Sequence, residues 1–94
     1  MKECKLFKEL YETIENIGSK DLKMVGNNPF ATGHVDGCLF RLFQEADTFY
    51  EDGTVRDYTA CVVIKDETET GSMWPAFYSR DEIINWFENR KKSQ

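Results

Sequence analysis

The chain has 94 residues, with 17 acids against 12 bases, one histidine and three cysteines, for a net charge of −5. That length supports one domain spanning residues 1–94, with a modest core. No apolar run approaches the ~20 residues needed to span a bilayer, and the acidic balance argues against a broad nucleic-acid face, which needs clustered Lys and Arg.

The mixed-charge start Met1-Lys2-Glu3-Cys4-Lys5 lacks a signal-peptide pattern, so the expected compartment is the cytoplasm, that of the host cell if the protein is viral. Cys4, Cys38 and Cys61 are odd in number and widely spaced, which speaks for reduced thiols rather than a disulfide framework. With a single histidine and no Cys-x-x-Cys, no metal site or cofactor is expected.

Residues 3–17 read as a helix. Phe7, Leu10, Ile14 and Ile17 form an apolar stripe, and Gly18 is placed to end it. Residues 21–25 read as a short extended piece, and Asn27-Asn28-Pro29 as a turn. Residues 30–37, with two glycines, are expected to be irregular or a short strand around His34.

Residues 38–44 fit either period. As a strand, Cys38, Phe40 and Leu42 face one way and Leu39 and Phe43 the other. Strand is favoured because Asp52-Gly53 follows as a two-residue hairpin signal, ahead of the apolar run 58–65. That run is β-branched and apolar on both faces, so a central strand is expected. The polar piece 45–57 between them is open to a long loop.

Residues 66–72 read as an acidic turn, and 73–78 as a strand held to the sheet edge by Pro75. A final helix over 79–92 opens with a capping box. Ser79 is expected to accept from the N–H three residues on, and Glu82 to reach back to the Ser79 N–H, with Tyr78 and Ile83 as a hydrophobic staple. Arg90, Lys91 and Lys92 suit the negative end of its dipole. The fold class is therefore α+β, an antiparallel sheet of three to four strands flanked by N- and C-terminal helices.

Trp86-Phe87-Glu88-Asn89-Arg90-Lys91 resembles the Trp-Phe-x-Asn-Arg segment of the homeodomain recognition helix, in which Asn reads adenine. The family needs a three-helix unit, which Asp52-Gly53, Val62-Val63-Ile64 and Trp74-Pro75 exclude. Helical spacing of Ile83, Trp86, Phe87 and Arg90 accounts for the match. The helix–strands–helix order resembles that of double-stranded-RNA-binding domains, but the charge has the wrong sign and no motif matches.

His34, Asp36 and Cys38 alternate, so a strand would bring base, acid and thiol to one face, an arrangement a nucleophilic mechanism could use. The bland alternative, a surface histidine beside a turn, is preferred.

The strongest functional signal is charge placement. Residues 36–69 hold nine acids against Arg41, Arg56 and Lys65, a net of −6, while the segments before and after are near balance. Several aromatics lie beside these acids. The candidate partner-binding residues are Glu45, Asp47, Phe49, Tyr50, Glu51, Asp52, Asp66, Glu67, Glu69 and Trp74.

The expected function is that of a small, acidic, non-enzymatic interaction module, a type common among virus- or phage-encoded inhibitors of host proteins such as nucleases, anti-CRISPR proteins among them. The expected partner is a larger protein with a basic surface, such as a nucleic-acid-binding enzyme, with no direct nucleic acid and no membrane. The alternatives are a small-molecule or nucleotide-binding domain, and a structural subunit that homodimerises through the 73–78 edge strand.

Overall fold

A computed structural model describes residues 4–19, 21–25, 30–66 and 74–92. The elements in chain order are α1 (Lys5–Ile17), β1 (Lys23–Val25), β2 (Phe30–Val35), β3 (Cys38–Phe49), β4 (Val55–Asp66), β5 (Ala76–Phe77) and α2 (Arg80–Lys92). The five strands form one antiparallel meander in the order β1-β2-β3-β4-β5. This is the expected α+β fold, with one or two more strands than the sequence suggested.

Both helices pack on the same face of the sheet. Phe7, Leu10 and Ile14 of α1 and Ile83 and Phe87 of α2 meet the inward residues Cys38, Phe40 and Leu42 of β3 and Ala60, Val62 and Ile64 of β4. The Phe40 ring stacks on Phe87 with centroids 5.3 Å apart. Alternation explains this face: every second residue is buried from Cys38 to Gln44 of β3 and from Ala60 to Ile64 of β4, as a one-sided sheet requires.

Local chemistry closes each element. The Gly18 N–H bonds Glu15 O and the Ser19 N–H bonds Ile14 O, the two bonds of a Schellman motif. Gly18, at φ 132°, supplies the positive dihedral that this helix end needs. At α2, the Glu82 N–H donates to Ser79 Oγ as the capping box predicts. Glu82 Oε2, however, accepts from Tyr78 N–H rather than Ser79 N–H, reaching one residue further back. Tyr78 is 57% exposed, so its ring contributes little cover to the fully buried Ile83, and the expected staple is weak.

Residues 30–37 are not irregular. Asp36 and Gly37 both have positive φ, the condition for a two-residue primed turn, and they join β2 to β3 in a tight hairpin. The Asp-Gly signal that makes a two-residue turn is thus the one at 36–37. The one at 52–53 closes a longer loop.

Residues 45–57 are not a long loop, since β3 runs to Phe49 and β4 begins at Val55. Pro75 precedes β5, which is an edge strand of two residues, and its carbonyl accepts from Ile64 N–H without need of its own donor. The expected turn at 27–29 lies outside the described residues, as do 67–72 of the expected 66–72 turn, whose first residue, Asp66, instead ends β4.

Gly33 sits in β2 on the inward face, where the chain leaving α1 crosses closely. A β-carbon there would fall 2.7 Å from Ser19 Oγ and 3.0 Å from Leu22 Cα. Gly33→Ala is expected to lower stability by about 1–3 kcal/mol through overpacking, read as an earlier midpoint in urea denaturation. An unchanged midpoint would show that the crossing segment yields freely.

Candidate functional site

The β3–β4 ladder outruns its neighbours. β2 reaches β3 only as far as Phe43, and β5 meets β4 only at Val62 and Val63. Beyond the Gln44–Ala60 pair the ladder continues, among the described residues, between these two strands alone, across Glu45–Thr59, Ala46–Tyr58, Thr48–Asp57 and Phe49–Val55, with Cys4 Sγ reaching Tyr58 O at 3.7 Å at its base. The hairpin therefore leaves the body as a two-stranded arm, and the molecule measures 51 × 25 × 22 Å. Register shifts at 46–48 and 48–49 mark bulges, which sharpen the local twist.

The tip has a defined structure. Tyr50 N–H donates to Thr54 O at 2.8 Å and Gly53 N–H to Tyr50 O at 3.0 Å, enclosing Glu51-Asp52-Gly53 as a three-residue loop. Gly53 has φ 87°, the left-handed residue such a loop needs at its end. Asp52 Oδ1 accepts both the Thr54 hydroxyl (2.6 Å) and the Thr54 N–H (3.0 Å). These bonds favour the ionised carboxylate and hold the Asp52 carboxyl below its usual range.

The arm carries Glu45, Asp47, Glu51, Asp52 and Asp57 against Arg56, a net charge of −4. Every side chain from Glu45 to Thr54 is exposed. Phe49 (59%) and Tyr50 (57%) stand in solvent among the carboxylates. Six of the expected binding residues, Glu45, Asp47, Phe49, Tyr50, Glu51 and Asp52, thus come together on the arm; Trp74 lies apart from them, ahead of β5 and half-buried, with Lys65 Nζ 5.2 Å over its ring.

Asp66 is at the other end of β4. Its side chain is 7% exposed and is held by Arg90 in a short hydrogen-bonded ion pair. Its carboxylate joins the sheet to α2 and is not offered at the surface. Glu67 and Glu69 lie outside the described residues.

A shallow pocket of about 200 Å³ opens at the base of the arm on the side away from the helices, lined by Phe43, Glu45, Asp47, Thr59, Cys61 and Tyr78. Burial, helped by the Glu45 charge, pushes the Cys61 thiol above its ordinary value. A protonated thiol is a poor nucleophile, so the pocket offers contact surface rather than covalent chemistry.

The expected His34/Asp36/Cys38 face does not form. His34 is in β2 with an exposed side chain, Asp36 is in the turn, and Cys38 is buried in the core opposite Val35. The two-residue turn breaks the alternation and places His34 and Cys38 on opposite faces of the sheet.

The carboxylate that meets His34 is Asp21. Its Oδ1 accepts His34 N–H at 2.8 Å and its Oδ2 lies 3.1 Å from Nδ1. An ionised carboxylate only accepts, so Nδ1 carries the proton. Ser19 Oγ also donates to Asp21 Oδ1. This clasp fastens the segment after α1 to β2 and is structural. Among the described residues, no group of three or more His, Cys, Asp or Glu is placed to hold a metal ion, and no helix is long and apolar enough to cross a membrane.

Sequence reasoning missed the sheet face opposite the helices, which no described element covers. Phe30 and Phe43 stack there at 6.1 Å, Arg41 lies 5.6 Å over the Phe43 ring, and Leu39 and Val63 are half-buried beside them. The signal was available in the alternation of Leu39, Arg41 and Phe43 opposite the core residues. No protein-family model, curated protein or solved structure matches the chain.

Hydrogen bonds from His34 lower the Asp21 carboxyl from 3.8 to about 2. A depressed folded-state value stabilises the protein above the unfolded value and loses that stabilisation as pH falls through the folded one. The Asp21 contribution should therefore be intact at neutral pH and disappear between 3.8 and about 2. Asp21→Asn is expected to lower the melting temperature at pH 7 and to narrow the gap to wild type below pH 3. A gap of constant size across that range would count against the clasp.

Proposed function

We propose that this protein is a non-enzymatic interaction module that docks its acidic hairpin arm into a basic groove of a larger protein. The arm carries the reading: a rigidly closed tip, five carboxylates against one cation, and two exposed aromatic rings, all standing clear of the body.

Each feature has a physical role. Clustered charge of one sign steers encounter with an oppositely charged surface and rejects like-charged ones. Exposed aromatics supply the buried anchors that dominate interface energetics, and truncating such an anchor commonly costs about 2 kcal/mol or more. The closed turn and the bonds at Asp52 fix the tip in advance, which reduces the ordering cost of binding.

Lys- and Arg-lined grooves that accept phosphates also accept a row of carboxylates. A nucleic-acid-binding enzyme is therefore the partner class that fits best, and occupation of its channel would make this protein an inhibitor.

The test is capture by the tagged protein and by two variants. Asp47→Lys/Glu51→Lys/Asp57→Lys takes the arm from −4 to +2 without touching the bonds at Asp52. Phe49→Ala/Tyr50→Ala removes the rings and keeps the charge. Wild type is expected to retain a basic, nucleic-acid-binding protein that added nucleic acid or salt releases. Charge reversal should abolish retention, and ring removal should weaken it by roughly 30-fold or more, the equivalent of about 2 kcal/mol. Full retention by the folded charge-reversed variant would end the electrostatic reading.

A further inference from the structure

The helices cover one face of the sheet only. The register places Lys23, Thr32, Arg41 and Val63 in one row across the other face, with Phe30, Phe43 and Cys61 in the next row and His34, Leu39 and Lys65 in the row on the far side. This face is apolar where its rings and aliphatic side chains are half-buried. It is also positive, with Lys23, Arg41 and Lys65 against Glu45 and the Asp21 carboxylate held by His34, although the chain as a whole carries −5.

We propose that this face seats the acidic arm of a second copy of the chain, in a symmetric dimer in which each arm lies across the other's sheet. Three observations carry the proposal. The arm at −4 and the face with its three cations are complementary in charge, and both come from the same chain at equal numbers. Phe49 and Tyr50 on the arm bring apolar surface to a face that already has Phe30, Phe43, Leu39 and Val63 half-exposed.

The dimensions also agree. β2 has six residues, giving a face about 20 Å long at ~3.3 Å per residue, and the arm from Glu45 to its tip is about as long. An arm meeting a face reciprocally is an isologous contact, the arrangement that closes as a dimer.

Aromatic rings beside cations also suit a single strand of nucleic acid. The net charge of the chain repels such a polyanion, whereas the arm supplies the same negative charge within the dimer. The inference rests on the arm as a docking element and not on its having a foreign partner. Self-docking would cap the arm, so a foreign partner would have to displace it.

Sedimentation or light scattering at low salt tests this with two charge-reversed variants, Asp47→Lys/Glu51→Lys/Asp57→Lys on the arm, which takes it from −4 to +2, and Lys23→Glu/Arg41→Glu on the face. Circular dichroism establishes that each is folded. Wild type is expected at twice the 11.0 kDa chain mass, returning to the single mass in about 1 M salt, where screening shrinks to about 3 Å. Each variant alone should be monomeric. An equimolar mixture should recover the doubled mass, because both arm–face contacts again pair opposite charges.

A monomeric wild type at low salt overturns the proposal, as does a variant that dimerises alone. Binding of a fluorescent oligo-deoxythymidine by a monomeric wild type, lost in Lys23→Glu/Arg41→Glu, would overturn it in favour of nucleic acid. Loss of foreign-protein capture in the arm variant, with wild type monomeric, would leave the proposed function standing without the dimer.

Discussion

The structure depends on the β3–β4 ladder. Its two twelve-residue strands are joined through eleven registered pairs, with β2 on one side, β5 on the other, the helices against its inner face, and β1 reaching it through β2. Over the half near Cys38 and Asp66, alternation buries Cys38, Phe40, Leu42, Ala60, Val62 and Ile64 under the helices. Over the end near Phe49 and Val55 the side chains from Thr48 to Thr54 are all exposed, and the same backbone continues as an arm. An isolated two-stranded hairpin is marginal in water. This one is continuous with a five-stranded sheet, so the core supports strands that bury little themselves.

The two faces of the sheet follow different chemistry. The inner face is Leu, Ile, Val and Phe at full burial, which sets the helix positions through contacts such as Phe40 on Phe87. The outer face mixes rings with cations, Arg41 over Phe43 and Lys65 over Trp74. Cations over rings shield apolar surface while keeping charge at the water boundary. The closing end of the sheet is fastened to α2 by Arg90, which binds Asp66 and lies 5.4 Å over Trp86. Thus α2 is bound both by apolar burial at Ile83 and Phe87 and by a charge pair at its end.

Legibility followed the range of the interactions. The capping of α2 by Ser79 and Glu82, the stripe of α1 and the apolar run of β4 are local patterns, and the sequence carries them openly. The arm was harder to see, because exposed strand and solvated loop have the same polar composition. Only the ladder across Thr48–Asp57 and Phe49–Val55 distinguishes them.

Gly33 and Gly37 looked like signs of irregular chain. Gly33 is a close approach to Ser19 and Leu22, which no local pattern shows, whereas Gly37 is half of the Asp36-Gly37 turn, a local signal that the stronger strand run after 52–53 overshadowed. The His34/Asp36/Cys38 reading failed because alternation was carried through a turn. The partner of Asp66 lies 24 residues away in another element, beyond any pattern in spacing. The acidic middle was legible as composition. Its division into an exposed arm and a carboxylate consumed by Arg90 was not.

Charge placement in this chain is costly unless something outside the molecule uses it. Carboxylates clustered on a thin hairpin repel one another, and opposite charges near them would relieve that repulsion. The cations of the outer face do not do so within one molecule. At physiological salt, charges more than about 8 Å apart are largely screened, and the arm carries its tip about 20 Å from its base. The turn chemistry adds to the separation, since the bonds from Thr54 hold Asp52 ionised at the far end. A negative tip and a positive sheet face are therefore each left facing solvent. The hairpin that separates them is what makes each available to another surface.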